Sequence, residues 1–213
     1  MSGTLALALS YVSGSIPTAY IAGRVFEGID LRRVGSGNLG ATNVYRIMGA
    51  KIAALVFVVD VLKGALPVLL FPGLVLTPVE METTSAPLWL GIACGVAAIL
   101  GHAKPVFLMG RGGGKGVATA AGIFLALAPV PLGIALLAFV LVLWRTGYVS
   151  AGSLTGGVVL VAALLAFEGW RSPVTLIGVL ICVFVFWSHR ANIARLRHGT
   201  EHRFSRSKPT EGA

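Results

Sequence analysis

Residues 117–144 read VATAAGIFLALAPVPLGIALLAFVLVLW, and the number of membrane crossings turns on them. The run is apolar throughout and is interrupted by Pro129 and Pro131. As one kinked helix it makes one crossing; as two limbs with a turn at the prolines it makes two. Each limb would be only about 20 Å long at 1.5 Å per residue, short of a ~30 Å hydrocarbon core. Charge parity decides. With one crossing, the basic C-terminal stretch SHRANIARLRHGTEHRFSRSKP faces away from every other basic loop. With two it faces the same way, as positive-inside topology requires, and local thinning accommodates short crossings. Two limbs are expected.

Outward from that run the chain repeats the pattern. It has 213 residues, 56% hydrophobic and 12% charged, with mean hydropathy +0.87. A soluble domain carries about 25% charged residues. Further apolar runs cover residues 4–23, 52–71, 87–100, 154–167 and 173–187. Pro17 is expected to kink the first rather than end it. No Lys or Arg precedes that run, so it lacks the basic start of a signal peptide and reads as an uncleaved span. The fold class expected is an all-α integral membrane protein of seven transmembrane helices, N-terminus outside and C-terminus cytoplasmic. Residues 1–203 form a single membrane domain; residues 204–213 form a disordered cytoplasmic tail. The net charge of +9 lies mostly just outside the apolar runs and lacks basic–aromatic interleaving, so no nucleic-acid partner is expected. Cys94 and Cys182 each sit inside an apolar run, as small buried hydrophobes, and no Cys/His metal spacing occurs.

Chemistry concentrates in three polar stretches on one membrane face. The first, residues 34–46, reads VGSGNLGATNVYR. Glycines let backbone N–H groups approach a ligand, Ser36, Asn38, Thr42 and Asn43 donate to it, and Arg46 can fork onto a phosphate. Gly35 to Gly40 formally matches G-x-G-x-x-G, but no strand precedes it and no βαβ unit follows, so a dinucleotide site is not expected. The second, GRGGGKG at residues 110–116, is not a Walker A loop, because Met109 and Gly116 occupy required positions. Its consecutive N–H groups can still form an anion nest with Lys115 beside a helix start, or Lys115 simply snorkels. The third follows the last span: His189 and Asn192 share a helix face at i, i+3. Residues 145–153 are read as an inner loop carrying Ser150 and Ser153. Asp60 and Lys63 share a face inside an apolar run, either as a salt bridge fixing helix packing or as part of the site. Clustered anion-binding stretches at a bilayer face point to an enzyme handling phosphate groups. The rival is an anion transporter, whose site would lie near the midplane among inverted repeats; no such repeat is visible.

These stretches closely resemble the bacterial acyl-phosphate:glycerol-3-phosphate acyltransferase family, PlsY. Ser36-Gly-Asn-x-Gly-x-Thr-Asn43 with Arg46 looks like its first motif, His102 through Gly-Gly-Lys115-Gly-Val-Ala-Thr119 its second, and His189-Arg-x-Asn-Ile-x-Arg-Leu196 with Gly199 and Glu201 its third. Asp60-Val-Leu-Lys63-Gly64 also resembles the family's second span. Lys104 and Met109-Gly110 depart from the family pattern. No histidine is followed by Asp five positions on, which removes the His-x4-Asp arrangement of the other class of glycerol-phosphate acyltransferases. The resemblance implies seven spans and transfer of a fatty acyl group from acyl phosphate to the sn-1 hydroxyl of glycerol 3-phosphate. The products are lysophosphatidate and inorganic phosphate, the first acylation of phospholipid synthesis, at the bacterial inner membrane. On this reading the catalytic residues are Lys115, His189, Asn192 and Arg46. Acyl phosphate falls to Ser36, Gly37, Asn38, Gly40, Thr42, Asn43, Gly113 and Gly114. Glycerol 3-phosphate falls to Arg46, Lys115, Ser150, Ser153, His189 and Asn192. No metal, cofactor or obligate protein partner is expected, and the chain is expected to act as a monomer in the bilayer. The hydroxyl proton goes either to His189 or to the phosphate.

Overall fold

The computed structural model describes residues 1–204, which are helical with no strand among them. In chain order the helices are α1 Gly3–Gly14, α2 Thr18–Glu27, α3 Ala41–Met48, α4 Ala50–Val75, α5 Pro78–Thr83 and α6 Ala86–Ala103. After a 3-10 turn at Val106–Leu108 come α7 Val117–Leu127, α8 Pro129–Thr146, α9 Val149–Phe167, α10 Pro173–Ser188 and α11 Arg190–Arg197. Among the described residues, five helices or joined pairs are long and apolar enough to cross a membrane, and α10 joined to α11 makes a sixth. The chain is a multi-pass membrane protein.

The 117–144 run is two helices. Ala128 leaves helical geometry at φ −152°, ψ 71°, and Pro129 takes the first position of α8, where a missing N–H costs nothing. Val117 at the start of α7 and Leu143 near the end of α8 line one cavity, so the chain goes out and comes back. The first run differs from expectation. Pro17 interrupts the helix across residues 15–17 instead of kinking it. The carbonyl of Ile16, left over at that break, accepts the Thr18 N–H at 2.9 Å and Lys63 Nζ at 3.1 Å. Residues 145–153 are not a loop: α8 runs to Thr146, Gly147 caps it at φ +74°, and α9 begins at Val149. Ser150 and Ser153 therefore stand on the first turns of a helix. Phe204, expected in the tail, stacks on Tyr45 with centroids 4.2 Å apart; the rest of that tail, residues 205–213, lies outside the described residues.

Missing side chains set the helix contacts. A Cβ on Gly122 would stand 2.0 Å from Val61 O, and one on Gly64 2.1 Å from Thr119 O, so α4 and α7 meet backbone to backbone. Phe124, Ile123 and Leu164 fill the core between α7, α9 and α10. Leu137, Leu165 and Val183 are exposed, as an outward face against lipid requires.

Candidate active site

The three polar stretches meet around a cavity of ≈ 450 Å³. The loop before α3, the loop before α7, the start of α9 and the α10–α11 joint all reach its wall. Each contributes a helix N-terminus: α3 behind Gly40, α7 behind Gly116, α9 behind Tyr148 and α11 behind His189. None has a side-chain cap. Four helix starts without side-chain caps, with their positive dipole ends, thus border a common space, which suits anions.

The side chains add charge. Lys115 Nζ donates to Asn192 Oδ1. Asn192 Nδ2 donates to Glu201 Oε1 at 2.6 Å, where Ser150 Oγ also donates at 2.9 Å, and Arg195 Nε holds Glu201 Oε2 at 2.7 Å. Glu201 gets there through a helix-end reversal. Gly199 adopts φ +68°, Gly199 N–H bonds Leu196 O at 3.3 Å and Thr200 N–H bonds Arg195 O at 2.9 Å, the paired bonds of a Schellman motif. Arg46 donates Nη2 to His202 O at 3.3 Å, while its buried Nε has no partner among the described residues. Lys115, Arg46 and Arg195 face one nearby carboxylate, so the site carries surplus positive charge. Burial holds the Lys115 ammonium down to about 8; Glu201 pulls it up, and Arg195 and Arg46 push it further down. Burial raises Glu201, but the hydrogen bonds from Asn192, Arg195 and Ser150 keep its carboxyl below the usual range.

His189 is buried and its Nδ1 lies 2.8 Å from Val185 O. A carbonyl only accepts, so Nδ1 carries the proton in the neutral ring and Nε2 keeps its lone pair. No hydrogen bond reaches Nε2 among the described residues, and the residue lines the cavity.

Eleven of the sequence-read site residues line this wall: Ser36, Asn38, Gly40, Thr42, Asn43, Arg46, Lys115, Ser150, Ser153, His189 and Asn192. Several of them also bond within the protein: Ser153 Oγ donates to Val149 O at 2.9 Å, and both amide atoms of Asn192 are taken, by Lys115 and Glu201. Asn43 spends its amide on the loop, accepting Ser36 N–H at 2.9 Å and donating to Leu31 O and Val34 O at 3.3 and 3.1 Å. Ser150 donates to Glu201. Gly37, Gly113 and Gly114 stand off the wall. Gly37 turns the chain at φ +68°. A Cβ on Gly113 would meet Ala103 O at 2.0 Å and one on Gly114 would meet His102 Nε2 at 2.1 Å. Those two glycines seat the Lys115 loop on the end of α6, where Gly114 N–H bonds His102 O at 3.2 Å. Met109 and Lys104, where the family pattern breaks, lie outside the cavity lining. Sequence reasoning did not name Arg195, Glu201 or His102 among the site residues and left Asp60 open between packing and the site, though all four line it. An ionisable residue inside an apolar run was the signal that had raised Asp60.

The family model described as glycerol-3-phosphate acyltransferase matches residues 4–199. Glycerol-3-phosphate acyltransferase 2 of Bacillus anthracis is 42% identical over 199 residues, covering 93% of this chain and 97% of that one. The enzyme of Anaeromyxobacter sp. (strain K) is 43% identical over 199 residues, covering 93% and 96%. The crystal structure of PlsY (YgiH), an integral membrane glycerol 3-phosphate acyltransferase in its glycerol 3-phosphate form, superposes with TM-score 0.84 at 35% identity, covering 95% of this chain and 96% of that one. With the cationic cavity already in place on a multi-pass helical frame, these matches make the chain an acyltransferase belonging to the glycerol-3-phosphate acyltransferase family.

Proposed function

We propose that the protein moves a fatty acyl group from an acyl phosphate to the sn-1 hydroxyl of glycerol 3-phosphate, releasing lysophosphatidate and inorganic phosphate. The observation that carries this is the grouping of Lys115, Arg46 and Arg195 with four uncapped helix N-termini around one cavity. That much positive potential suits two phosphates held side by side. The relative crystallised in glycerol 3-phosphate and lysophosphatidic acid forms supports both substrate and product. An acyl phosphate is already activated, so no protein nucleophile is needed, and positioning with charge stabilisation suffices.

Ser36, Asn38 and Thr42 at the start of α3 take the acyl phosphate, helped by Gly40 and Arg46. Lys115, Asn192, Ser153 and His189 take glycerol 3-phosphate. The hydroxyl oxygen adds to the acyl carbon. The carbon–oxygen bond to phosphate breaks, its electron pair leaves with the phosphate, and the hydroxyl proton ends on that phosphate. His189 Nε2 orients the hydroxyl. In the membrane α1 with α2, α4, α6, α7, α8, α9 and α10 make seven crossings, α7 being the short one. The N-terminus is outside and the site cytoplasmic, in the inner membrane of a bacterium, and residues 1–203 act as one monomeric domain without a cofactor.

The test is detergent-purified protein given palmitoyl phosphate with and without glycerol 3-phosphate. Lysophosphatidate should form in step with phosphate release. Phosphate release that ignores glycerol 3-phosphate would sink the proposal.

A further inference from the structure

The cavity has a second polar pole that the phosphate chemistry does not use. Asp60 on α4 is 2% exposed, Lys63 7% and His102 6%, deep in a helical membrane protein. Ionisable groups in such places are expensive and need a reason. Lys63 has a structural one: its Nζ bonds the Ile16 carbonyl at the α1–α2 break and pairs with Asp60 Oδ1 at 2.7 Å. Thr18 Oγ1 donates to that same Oδ1 at 3.1 Å, and His102 Nδ1 lies 3.9 Å from it. Every one of these contacts falls on Oδ1. Asp60 Oδ2 receives no hydrogen bond among the described residues, yet it is not sealed off, and both Asp60 and His102 line the cavity. His102 makes no side-chain hydrogen bond either, and its ring backs onto Gly114, next to Lys115.

The two poles differ in what they accept. An ionised phosphate oxygen brings no proton to a carboxylate that only accepts, so Asp60 Oδ2 offers a phosphate nothing to bond. A carboxylate is acceptor-only and takes a hydroxyl donor. Lys63 and Thr18 both hold Oδ1, which leaves Oδ2 as the acceptor a hydroxyl can reach. Cations at one end and a carboxylate at the other therefore orient a small molecule that is phosphate at one end and polyol at the other.

We infer that Asp60, with His102 beside it, binds the spectator secondary hydroxyl of the glycerol phosphate substrate, so that the primary hydroxyl is the one presented to the acyl carbon. This rests on the reading under Proposed function. Both residues touch substrate, and Lys63 and Thr18 position Asp60 without touching it. The site is a specificity device, because a buried acceptor left empty penalises any substrate that lacks the hydroxyl.

The experiment compares glycerol 3-phosphate with 3-hydroxypropyl phosphate, which lacks the secondary hydroxyl, at fixed palmitoyl phosphate. Wild-type protein should prefer glycerol 3-phosphate by roughly 10- to 100-fold in kcat/KM, the value of one hydrogen bond to a charged acceptor. Asp60→Ala and His102→Ala should each collapse that preference toward unity, whatever they do to absolute rate. Asp60→Asn, which keeps an acceptor oxygen, should restore part of it. A packing role alone would lower both substrates equally and leave the ratio intact. A wild-type ratio near one, or an unchanged ratio in His102→Ala, overturns the inference while turnover itself still stands. Absence of turnover with either alcohol instead overturns the acyl phosphate reading.

Discussion

At the residue scale, Lys115 has the sharpest consequences. It is half-buried beside two arginines, and its direct side-chain partner is the neutral amide of Asn192. Removing it should lower kcat/KM by about 10²- to 10³-fold or more, as for loss of a charge-stabilising donor. Lys115→Ala should not weaken the fold. The folded ammonium sits at about 8 against an ordinary 10.5, so the unfolded chain binds more protons between those values. Stability from this group thus rises with pH across that window, and a cation there is a cost. A melting curve on Lys115→Ala that drops by many degrees would contradict this. A bound phosphate should draw the proton back onto Lys115. Glycerol 3-phosphate affinity should then fall as pH rises through about 8, with proton uptake on binding in that range. Titration calorimetry in buffers of different ionisation enthalpy reads both. Glu201→Gln removes the group that holds Lys115 up, so the same basic limb should move to lower pH in that variant. An unmoved limb would mean that Lys115 does not carry it.

At the element scale, helix ends do most of the placing. Gly199 reverses the chain after α11 and returns Glu201 onto Asn192 and Arg195. Gly199→Ala forces a β-carbon into a left-handed position, costing about 1–2 kcal/mol. Its effect on turnover should exceed its effect on melting temperature, because the displaced carboxylate orders Asn192, Arg195 and Ser150 together. Equal small effects on both would show that Glu201 is not the organiser. Some of this was legible. The split of the 117–144 run followed from two prolines and the parity of basic loops, and the three motif stretches followed from glycine and polar clustering. What was not legible depends on distance. Ser150 and Glu201 are 51 residues apart, and no local pattern announces their hydrogen bond. The close approach of Gly113 and Gly114 to the end of α6 gave no sign either, because spacing alone does not distinguish a nest from tight packing. The interruption at residues 15–17 was hidden for a similar reason: a lysine 47 positions away satisfies the broken carbonyl.

At the scale of the whole molecule, the site exists only if α7 and α8 return the chain to the side it left. Lys115 precedes α7 and Ser150 follows α8, and both line the same cavity. A single crossing over residues 117–144 would put those two residues on opposite faces of a ~30 Å core. The fold-back is cheap in backbone terms, since only Ala128 leaves helical geometry and Pro129 starts the next helix without a lost donor. It also explains why α7 can be as short as 11 residues: its backbone packs on α4 through Gly64 and Gly122, so protein covers much of what lipid would otherwise meet. Single cysteines placed at Arg33, Arg145 and Arg197, all exposed and outside the cavity lining, should therefore react with a membrane-impermeant thiol reagent from one side of sealed vesicles. A cysteine at Met81, in the acidic segment after α4, should react only from the other. Replacing Cys94 and Cys182 beforehand removes background. If positions 33 and 145 label from opposite sides, the chain does not double back at Ala128, and no arrangement of the remaining helices can bring Lys115 and Ser153 to the same substrate.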